Sequence, residues 1–175
     1  GSGPRAAAES KATIVLLERL LEAGFKKEVV LRSVNSLLQL RTGDEIFATV
    51  DMALIDLVEG EVELIKIGAA PSIVKRGKEV FSIGGPSLPL GILSQVEVES
   101  YLEMLQPNDL LVMVTDGAND AEGRLSWLVT FLRQMENSPP QIVADRIVDE
   151  AARRSGGRLG DDLTVAACRL ISLKR

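Results

Sequence analysis

The order of secondary-structure patterns along the chain constrains its fold most strongly. Strand-type segments follow one another in the middle of the chain, and helix-type segments cluster towards both ends instead of alternating with strands. Helices that are segregated from a run of strands are typical of an α+β fold with antiparallel sheets. We therefore expect a single domain, an antiparallel β-sandwich flanked by α-helices on both faces.

The individual segments follow from hydrophobic periodicity and from turn residues. Apolar residues at helical spacing predict an αα-hairpin near the start of the chain. The nearly unbroken apolar run LLVMV predicts a central strand that is buried on both faces. The predicted helices span residues 6–23 and 26–40, a third carries residues 125–135, and a fourth begins after Pro140. The predicted strands span residues 46–57, 62–67, 72–75, 80–83, 96–102, 109–115 and 163–173.

The chain contains no histidine and only one cysteine, Cys168. The absence of histidine excludes Ser-His-Asp and Cys-His catalysis within the chain, and it excludes zinc sites of the usual His and Cys type. Any chemistry must therefore use carboxylates, hydroxyls, lysine or arginine, and carboxylates suit hard cations such as Mg²⁺ and Mn²⁺. Cys168 stands in the apolar run VAACRLI, so we expect a buried thiol that serves as a small hydrophobe.

Composition also bounds the partners. The formal net charge is -5 and aromatic residues make up 3% of the chain. An acidic chain does not attract a phosphate backbone, and few rings are available to stack on bases, so no nucleic acid is expected. No apolar run approaches the ~20 residues of a spanning helix. We expect a cytoplasmic domain without membrane contact, and leave open that it belongs to a larger membrane-anchored protein.

Two acidic loops are the candidates for chemistry. Asp116 and Gly117 follow the apolar strand LLVMV, and Asp161 and Asp162 precede the last strand, LTVAACRL. Both loops place carboxylates at the rim of a sheet, and carboxylates that meet there would need a cation. Each loop alone is also a common turn or cap. Whether the two loops meet is a question of geometry that the pattern leaves open.

Two stretches, VTDGANDAEG and RLGDDLTVAACRL, resemble the C-terminal half of the type-2C (PPM) metal-dependent protein phosphatases. The similarity is closest to the bacterial branch, and within it to phosphatases that act in sporulation. It extends over nearly the whole chain, because separate stretches agree in order and in rough spacing. These stretches are GPRAAAES, FATVDMALIDL, KIGAAPSIVKRG, LPLGIL, DLLVMVTDG and GDDLTVAA.

The resemblance implies a role for individual residues. Asp116 and Asp161 would each bind metal, and Gly117 would make the turn after the first of them. Asp162 would shape the site beside Asp161, and Gly68 would end a strand that approaches it. The implied cofactors are two Mn²⁺ or Mg²⁺ ions in the complete domain. Water activated by metal, rather than a protein side chain, would attack the phosphoester.

The family also carries an Asp-Gly pair, within an Asp-Gly-x-Gly-x-Gly turn, where that Asp bridges both metals. The pair would stand immediately before Gly1, and the strands that precede it in the family are missing from this sequence as well. The run Gly1-Ser2-Gly3 fits the remainder of that turn. The resemblance therefore implies an N-terminally incomplete phosphatase domain over residues 1–175, weakly active or inactive by itself.

The implied function is hydrolysis of phosphoserine on a small regulatory protein of the anti-anti-sigma-factor type, in sporulation or in stress sigma-factor control. The alternative is a non-catalytic phosphoprotein-binding module of the same fold. A phosphatase with an Asp nucleophile is disfavoured, because that class needs a second Asp two residues on, where this chain has Ala118. A nucleotide-binding loop at Gly1-Ser2-Gly3 is disfavoured because no strand precedes it. A homodimer stays open.

The predicted helical pair over residues 6–40 has two interpretations. Amphipathic stripes usually pack on a core, which makes the pair a cover for one sheet. Alternatively the pair is regulatory, because it directly follows the turn of the bridging Asp. A shift of the pair would then move that Asp and change metal affinity.

Overall fold

Two pairs of helices enclose two antiparallel β-sheets within residues 4–40, 47–119, 125–157 and 160–171, the part of the chain that the computed structural model describes. The helices are α1 (Pro4–Glu22), α2 (Lys27–Gln39), α3 (Ser126–Gln134) and α4 (Pro140–Arg154). The strands are β1 (Val50–Ile55), β2 (Glu61–Ile67), β3 (Ser72–Arg76), β4 (Glu79–Ile83), β5 (Ser100–Met104), β6 (Leu110–Val114) and β7 (Val165–Arg169). The predicted α+β sandwich is confirmed.

The first sheet has the strand order β1-β2-β5 and is antiparallel throughout. β1 and β2 form the predicted hairpin. Its turn is closed by the Asp56 carboxylate, which accepts hydrogen bonds from the backbone N–H groups of Val58 and Glu59. The resulting register places Asp51 directly opposite Lys66. β2 lies in the middle of this sheet and is buried along most of its length.

The second sheet has the strand order β4-β3-β6-β7. β3 and β4 form the predicted hairpin around Gly77, whose φ of 59° lies in the left-handed region that glycine adopts without a Cβ clash. β6, the LLVMV segment, lies between β3 and β7 and is buried on both faces, which confirms its prediction as a central strand. Its pairing with β7 aligns Val114 with Val165. The loop after β6 therefore meets the loop before β7.

Each outer face of the sandwich is covered by one pair of helices. Leu31 and Val34 of α2 pack with Ile65 of β2 in the core under the first pair. Leu128 of α3 and Ile147 of α4 lie in the core over the second sheet. Full burial of such a side chain contributes about 1.5–3 kcal/mol. The predicted packing of the first helical pair on a sheet is thereby confirmed.

The inner faces of the two sheets form a third core. Val62 and Leu64 of β2 pack with Leu111 of β6. Where β6 begins, Arg76 joins the two sheets, because its guanidinium donates hydrogen bonds both to the buried Asp109 carboxylate, at 2.8 and 2.9 Å, and to the carbonyl of Met104 in β5. The other end of the sandwich, where β6 finishes, has no such clamp among the described residues.

The strand predicted over residues 96–102 is displaced in the structure. Pairing with β2 runs instead over Ser100–Met104. Val96 and Val98, which supplied the alternating pattern, pack against the core under α2 without joining the sheet. An extended segment that buries every second residue against a core has the same hydrophobic period as a paired strand. The period alone therefore predicted that the strand begins at Val96, before the residues that pair with β2.

Cys168 is exposed, so the prediction of a buried thiol is wrong. β7 is the edge strand of its sheet within the described residues. Its Val165 and Ala167 pack towards the helices, whereas Thr164, Ala166 and Cys168 alternate with them and are exposed. Apolar residues occur on both faces of this strand, so its sequence does not indicate which face packs against the helices.

Some predictions fall on residues outside the described ranges. These are the turn at Gly1-Ser2-Gly3, the beginning of the first strand at Ile46 and the end of the last strand at Leu173. Among the residues that are described, no helix combines the length and the apolar character needed to cross a bilayer.

An ion pair between α2 and β2 gives a test of how the first helical pair is fastened. Lys27 Nζ lies 2.7 Å from Glu63 Oε2, and this hydrogen bond lowers the pKa of Glu63. We expect Lys27→Met to reduce the free energy of unfolding by about 0.5–1 kcal/mol at pH 7. A depressed carboxyl pKa stabilises the fold above the unfolded value of about 4.3 and loses that effect as the pH falls.

The measurement is urea unfolding of both proteins at pH 7 and at the lowest pH where both remain folded. The difference should shrink on acidification. Lys26→Met is the matched control, since Lys26 makes no ion pair with described residues. An equal loss at both pH values, or an equal loss in the control, would contradict the role of the pair.

Candidate metal centre

A cleft opens between the two sheets at the end where β6 finishes. Its volume is about 220 Å³. One wall comes from the first sheet and the segment after β2, and it consists of Thr49, Asp51, Gly68, Ala69 and Ala70. The other wall comes from the second sheet and its loops, and it consists of Met113, Val114, Thr115, Asp116, Thr164 and Ala166. Carboxylates therefore stand on both walls.

Asp116 is held in a short 3₁₀ turn, Asp116–Ala118, that follows β6 directly. The carbonyl of Ala118 accepts a hydrogen bond of 2.8 Å from the indole Nε1 of the buried Trp127 in α3. The carbonyl of Asp116 accepts the N–H of Asn119 at 2.8 Å. The turn is thus anchored to the helical layer, while the Asp116 side chain stays exposed at the cleft.

Thr115 ties the two acidic loops together with its side-chain hydroxyl. Its Oγ1 accepts the backbone N–H of Thr164 at 2.8 Å and donates to the carbonyl of Asp162 at 3.1 Å. The backbone N–H of Thr115 also donates to the carbonyl of Thr164. These bonds extend the pairing of β6 with β7 beyond the strands and fix the spacing of the loops.

Gly117 lies in close contact with the backbone of the second acidic loop. A Cβ at this position would lie 2.5 Å from the carbonyl oxygen of Asp162 and 3.1 Å from that of Asp161. Real Cβ atoms do not approach backbone atoms so closely, so only glycine lets the two loops meet at this distance. The sequence left the meeting of the loops open, and the structure brings their backbones together.

The two acidic loops contribute differently to the cleft. Asp116 lines it, whereas Asp161 and Asp162 are exposed beside it and are not among its lining residues. Asp161 Oδ1 accepts the backbone N–H of Asp162 at 2.8 Å, which keeps one oxygen engaged within its own loop. The metal-binding roles predicted for Asp116 and Asp161 stay predictions.

Gly68 lies at the end of β2, where it was expected, and forms part of the cleft wall. Its φ is 63°, and a Cβ there would lie within 2.9 Å of Pro89. Its N–H donates to the hydroxyl of Ser87, which in turn donates to the carbonyl of Lys66. The segment with Pro89 therefore packs directly on the end of β2 and leaves no room for a side chain.

Asp51 and Lys66 are site residues that the sequence analysis missed. Lys66 Nζ lies 2.7 Å from Asp51 Oδ1, and the lysine is almost completely buried. The angles at Asp51 Oδ1 do not fit a hydrogen bond from Lys66, so this contact is an ion pair. Burial raises the pKa of Asp51 and lowers the pKa of Lys66, and the ion pair opposes both shifts. The turn at Glu59-Gly60 fixes the hairpin register, and that register would have placed the two charges opposite each other.

The oxygen-rich lining of the cleft fits a hard divalent cation. It includes the carboxylates of Asp51 and Asp116 and several threonines, and neither histidine nor cysteine takes part. Mg²⁺ and Mn²⁺ prefer such oxygen ligands. Within the described ranges, no three His, Cys, Asp or Glu side chains form a complete metal-binding group. A cation held by Asp116 would therefore need water or additional oxygen ligands.

The contact at Gly117 predicts a sharp effect of one added methyl group. Gly117→Ala should push the two acidic loops apart and cost about 1–3 kcal/mol of stability, as overpacking does. Thermal unfolding and Mn²⁺ titration calorimetry would measure stability and cation affinity together, and both should fall. Gly160→Ala is the matched control in the facing loop, because a Cβ there meets nothing within 4 Å. Unchanged stability and affinity in Gly117→Ala would contradict the close contact.

Comparisons with known proteins agree with this architecture. The sequence profile of Stage II sporulation protein E (SpoIIE) matches residues 1–171. Stage II sporulation protein E of Priestia megaterium is 38% identical over 174 residues, which span 97% of this chain but only 30% of that protein. The chain therefore corresponds to less than a third of that relative.

Solved structures show the same similarity. The PP2C phosphatase domain of SpoIIE from Bacillus subtilis, solved with a fragment of its regulatory domain, superposes with a TM-score of 0.86 at 36% identity. The match covers 97% of this chain and 51% of that one. A manganese-presoaked structure of the SpoIIE phosphatase domain from the same organism gives a TM-score of 0.68 at 33% identity, covering 93% of this chain and 75% of that one. The chain belongs to the SpoIIE family and has the PP2C phosphatase fold.

Proposed function

We propose that this domain is a metal-dependent serine/threonine phosphatase in which Asp116 and Asp161 bind Mn²⁺ or Mg²⁺. The observation that carries the proposal is the junction of the two acidic loops, where Gly117 packs on the backbone of Asp161 and Asp162 beside the cleft. The similarity to a PP2C phosphatase domain supports the reaction class. The manganese-presoaked structure of a related domain supports the choice of cation.

The residues of the cleft would divide the work as follows. Asp116 and Asp161 hold the cations, and Thr115 sets the spacing between their loops. When bound, the cations supply Lewis-acid activation of water for hydrolysis of the phosphoester. Among the described residues, neither lysine nor arginine lines the cleft. Small side chains at Ala69, Ala70 and Ala166 leave room for a phosphorylated segment.

The substrate that we propose is phosphoserine on a small regulatory protein of the anti-anti-sigma-factor type. Membership of a sporulation family supports this class of partner. We place the activity in the cytoplasm, where proteins that regulate sigma factors act. The acidic chain is compatible with a protein partner and unfavourable for a nucleic acid.

The second candidate is a phosphoprotein-binding module that does not hydrolyse its partner. One observation favours it, namely that the described residues contain no cluster of three acidic side chains close enough to hold a metal ion. Such a module would bind no Mn²⁺ in a calorimetric titration. Cation binding therefore separates the two candidates before any substrate is known.

Removal of either predicted ligand should abolish the activity of the complete domain, in which the family's bridging Asp is present. In that complete domain we expect Asp116→Asn and Asp161→Asn each to reduce Mn²⁺-dependent phosphate release from a phosphoserine protein by about 100-fold or more, the loss seen when a stabiliser of transition-state charge is removed. Phosphate release would be measured alongside circular dichroism, which reports whether each variant is folded. Asp162→Asn should lose less, since the contact with Thr115 uses its backbone carbonyl.

Asp145→Asn is the matched control on the exposed surface of α4, where Asp145 accepts a hydrogen bond from Gln141. Its activity should equal that of the unmodified protein. Full phosphate release by the double variant Asp116→Asn with Asp161→Asn would overturn the assignment. Tight Mn²⁺ binding without any phosphate release from several phosphoserine proteins would favour the binding module.

A further inference from the structure

Lys66 is a charged side chain placed in the core between the two sheets. Its exposed fraction is 1%, and it lies on the inner face of β2, two residues after the buried Leu64. Its ammonium group has two partners, Asp51 Oδ1 and the carbonyl oxygen of Ala70, each at 2.7 Å. The methylenes of Lys66 also lie close to Gly84, where a Cβ would come within 3.3 Å of Lys66 Cγ. The side chain is therefore fixed along its whole length.

Stability alone does not account for this ion pair. Removing two charges from water costs several kcal/mol per ion, and apolar residues of similar volume often serve a core as well or better. Burial raises the pKa of Asp51 and lowers the pKa of Lys66, and the attraction between the two groups opposes both shifts. What the pair supplies is a fixed position for the groups that Lys66 contacts.

Both partners of Lys66 lie on the wall of the cleft that faces Asp116. Asp51 lines the cleft from β1, and Ala70 lines it from the segment after Gly68. Asp51 Oδ1 is buried against Lys66, whereas 22% of the whole Asp51 side chain is exposed. The exposed surface is therefore that of the other side-chain atoms. One carboxylate oxygen is thus held by the lysine, and the remainder of the group borders the open cleft.

We propose that Asp51 is a further carboxylate of the cation site, and that Lys66 is the positioning residue that presents it. The inference rests on the proposed function, because it assumes that Asp116 holds a divalent cation in this cleft. Magnesium-type cations take six oxygen ligands and keep several waters, so a second carboxylate across the cleft can bind directly or through such a water. Ligating carboxylates are themselves held in place by neighbouring polar groups, and Lys66 holds Asp51 through the ion pair.

The test is Mn²⁺ titration calorimetry of the metal-free protein, which needs no substrate. Asp51→Asn keeps an oxygen for Lys66 but loses the negative charge, and it should weaken Mn²⁺ binding by about 10- to 100-fold. Asp109→Asn is the matched control, because Asp109 is also a buried carboxylate paired with a cation, Arg76, but lies at the opposite end of the sandwich. It should lower the midpoint of thermal unfolding and leave Mn²⁺ affinity unchanged.

A double-mutant cycle tests the role of Lys66. Lys66→Met should weaken Mn²⁺ binding by about tenfold in the unmodified protein, and it should have no further effect in the Asp51→Asn background, because the lysine acts through Asp51. An equal loss in both backgrounds would overturn the positioning role. If Lys66→Met alone does not fold, Asp51→Leu with Lys66→Met removes both charges together, and wild-type affinity in that folded protein would overturn the proposal.

The outcomes separate this inference from the proposed function. Asp116→Asn should abolish Mn²⁺ binding in the same titration. If it does so while folded Asp51→Asn binds Mn²⁺ normally, the inference about Asp51 fails and the proposed function stands. If Asp116→Asn also binds Mn²⁺ normally, the cation site itself is wrong and both proposals fail.

Discussion

The contact between Gly117 and the backbone of Asp161 and Asp162 is the constraint on which the candidate site depends. The two loops are distant in sequence and are brought together only because β6 and β7 pair in register up to Val114 and Val165. The hydroxyl of Thr115 then continues the ladder into the loops. A shift of register by one residue would turn every side chain of β7 to the other face and separate the acidic loops as well.

Local rules were sufficient for most of the fold. Both hairpins follow from turn residues between alternating apolar segments, and the central position of β6 follows from its unbroken apolar run. Two expectations failed where tertiary packing decides the outcome. Val96 and Val98 pack on the core under α2 without joining a sheet, and Cys168 is exposed on β7 despite the apolar residues around it in the sequence. The local sequence pattern contains no signal for either of these two outcomes.

The candidate site was predictable in its residue types but not in its geometry. Motifs pointed to Asp116 and Asp161, and Gly68 was placed correctly at the end of β2 beside the cleft. The buried pair of Asp51 and Lys66 was overlooked because the two residues lie on different strands, and neither strand by itself shows a partner for the buried charge. Such a pair becomes visible only when the hairpin register sets one strand against the other. Cross-strand pairing of lone charges is therefore worth examining in any predicted hairpin that borders a cleft.

The exposed position of Cys168 has a practical consequence. It is the single cysteine of the chain and lies two residues from Ala166, which lines the cleft. Although the residue is exposed, partial burial raises the pKa of its thiol. A spin label or fluorophore attached there would occupy one defined place. Spectroscopy could then follow how β7 moves relative to the rest of the sandwich.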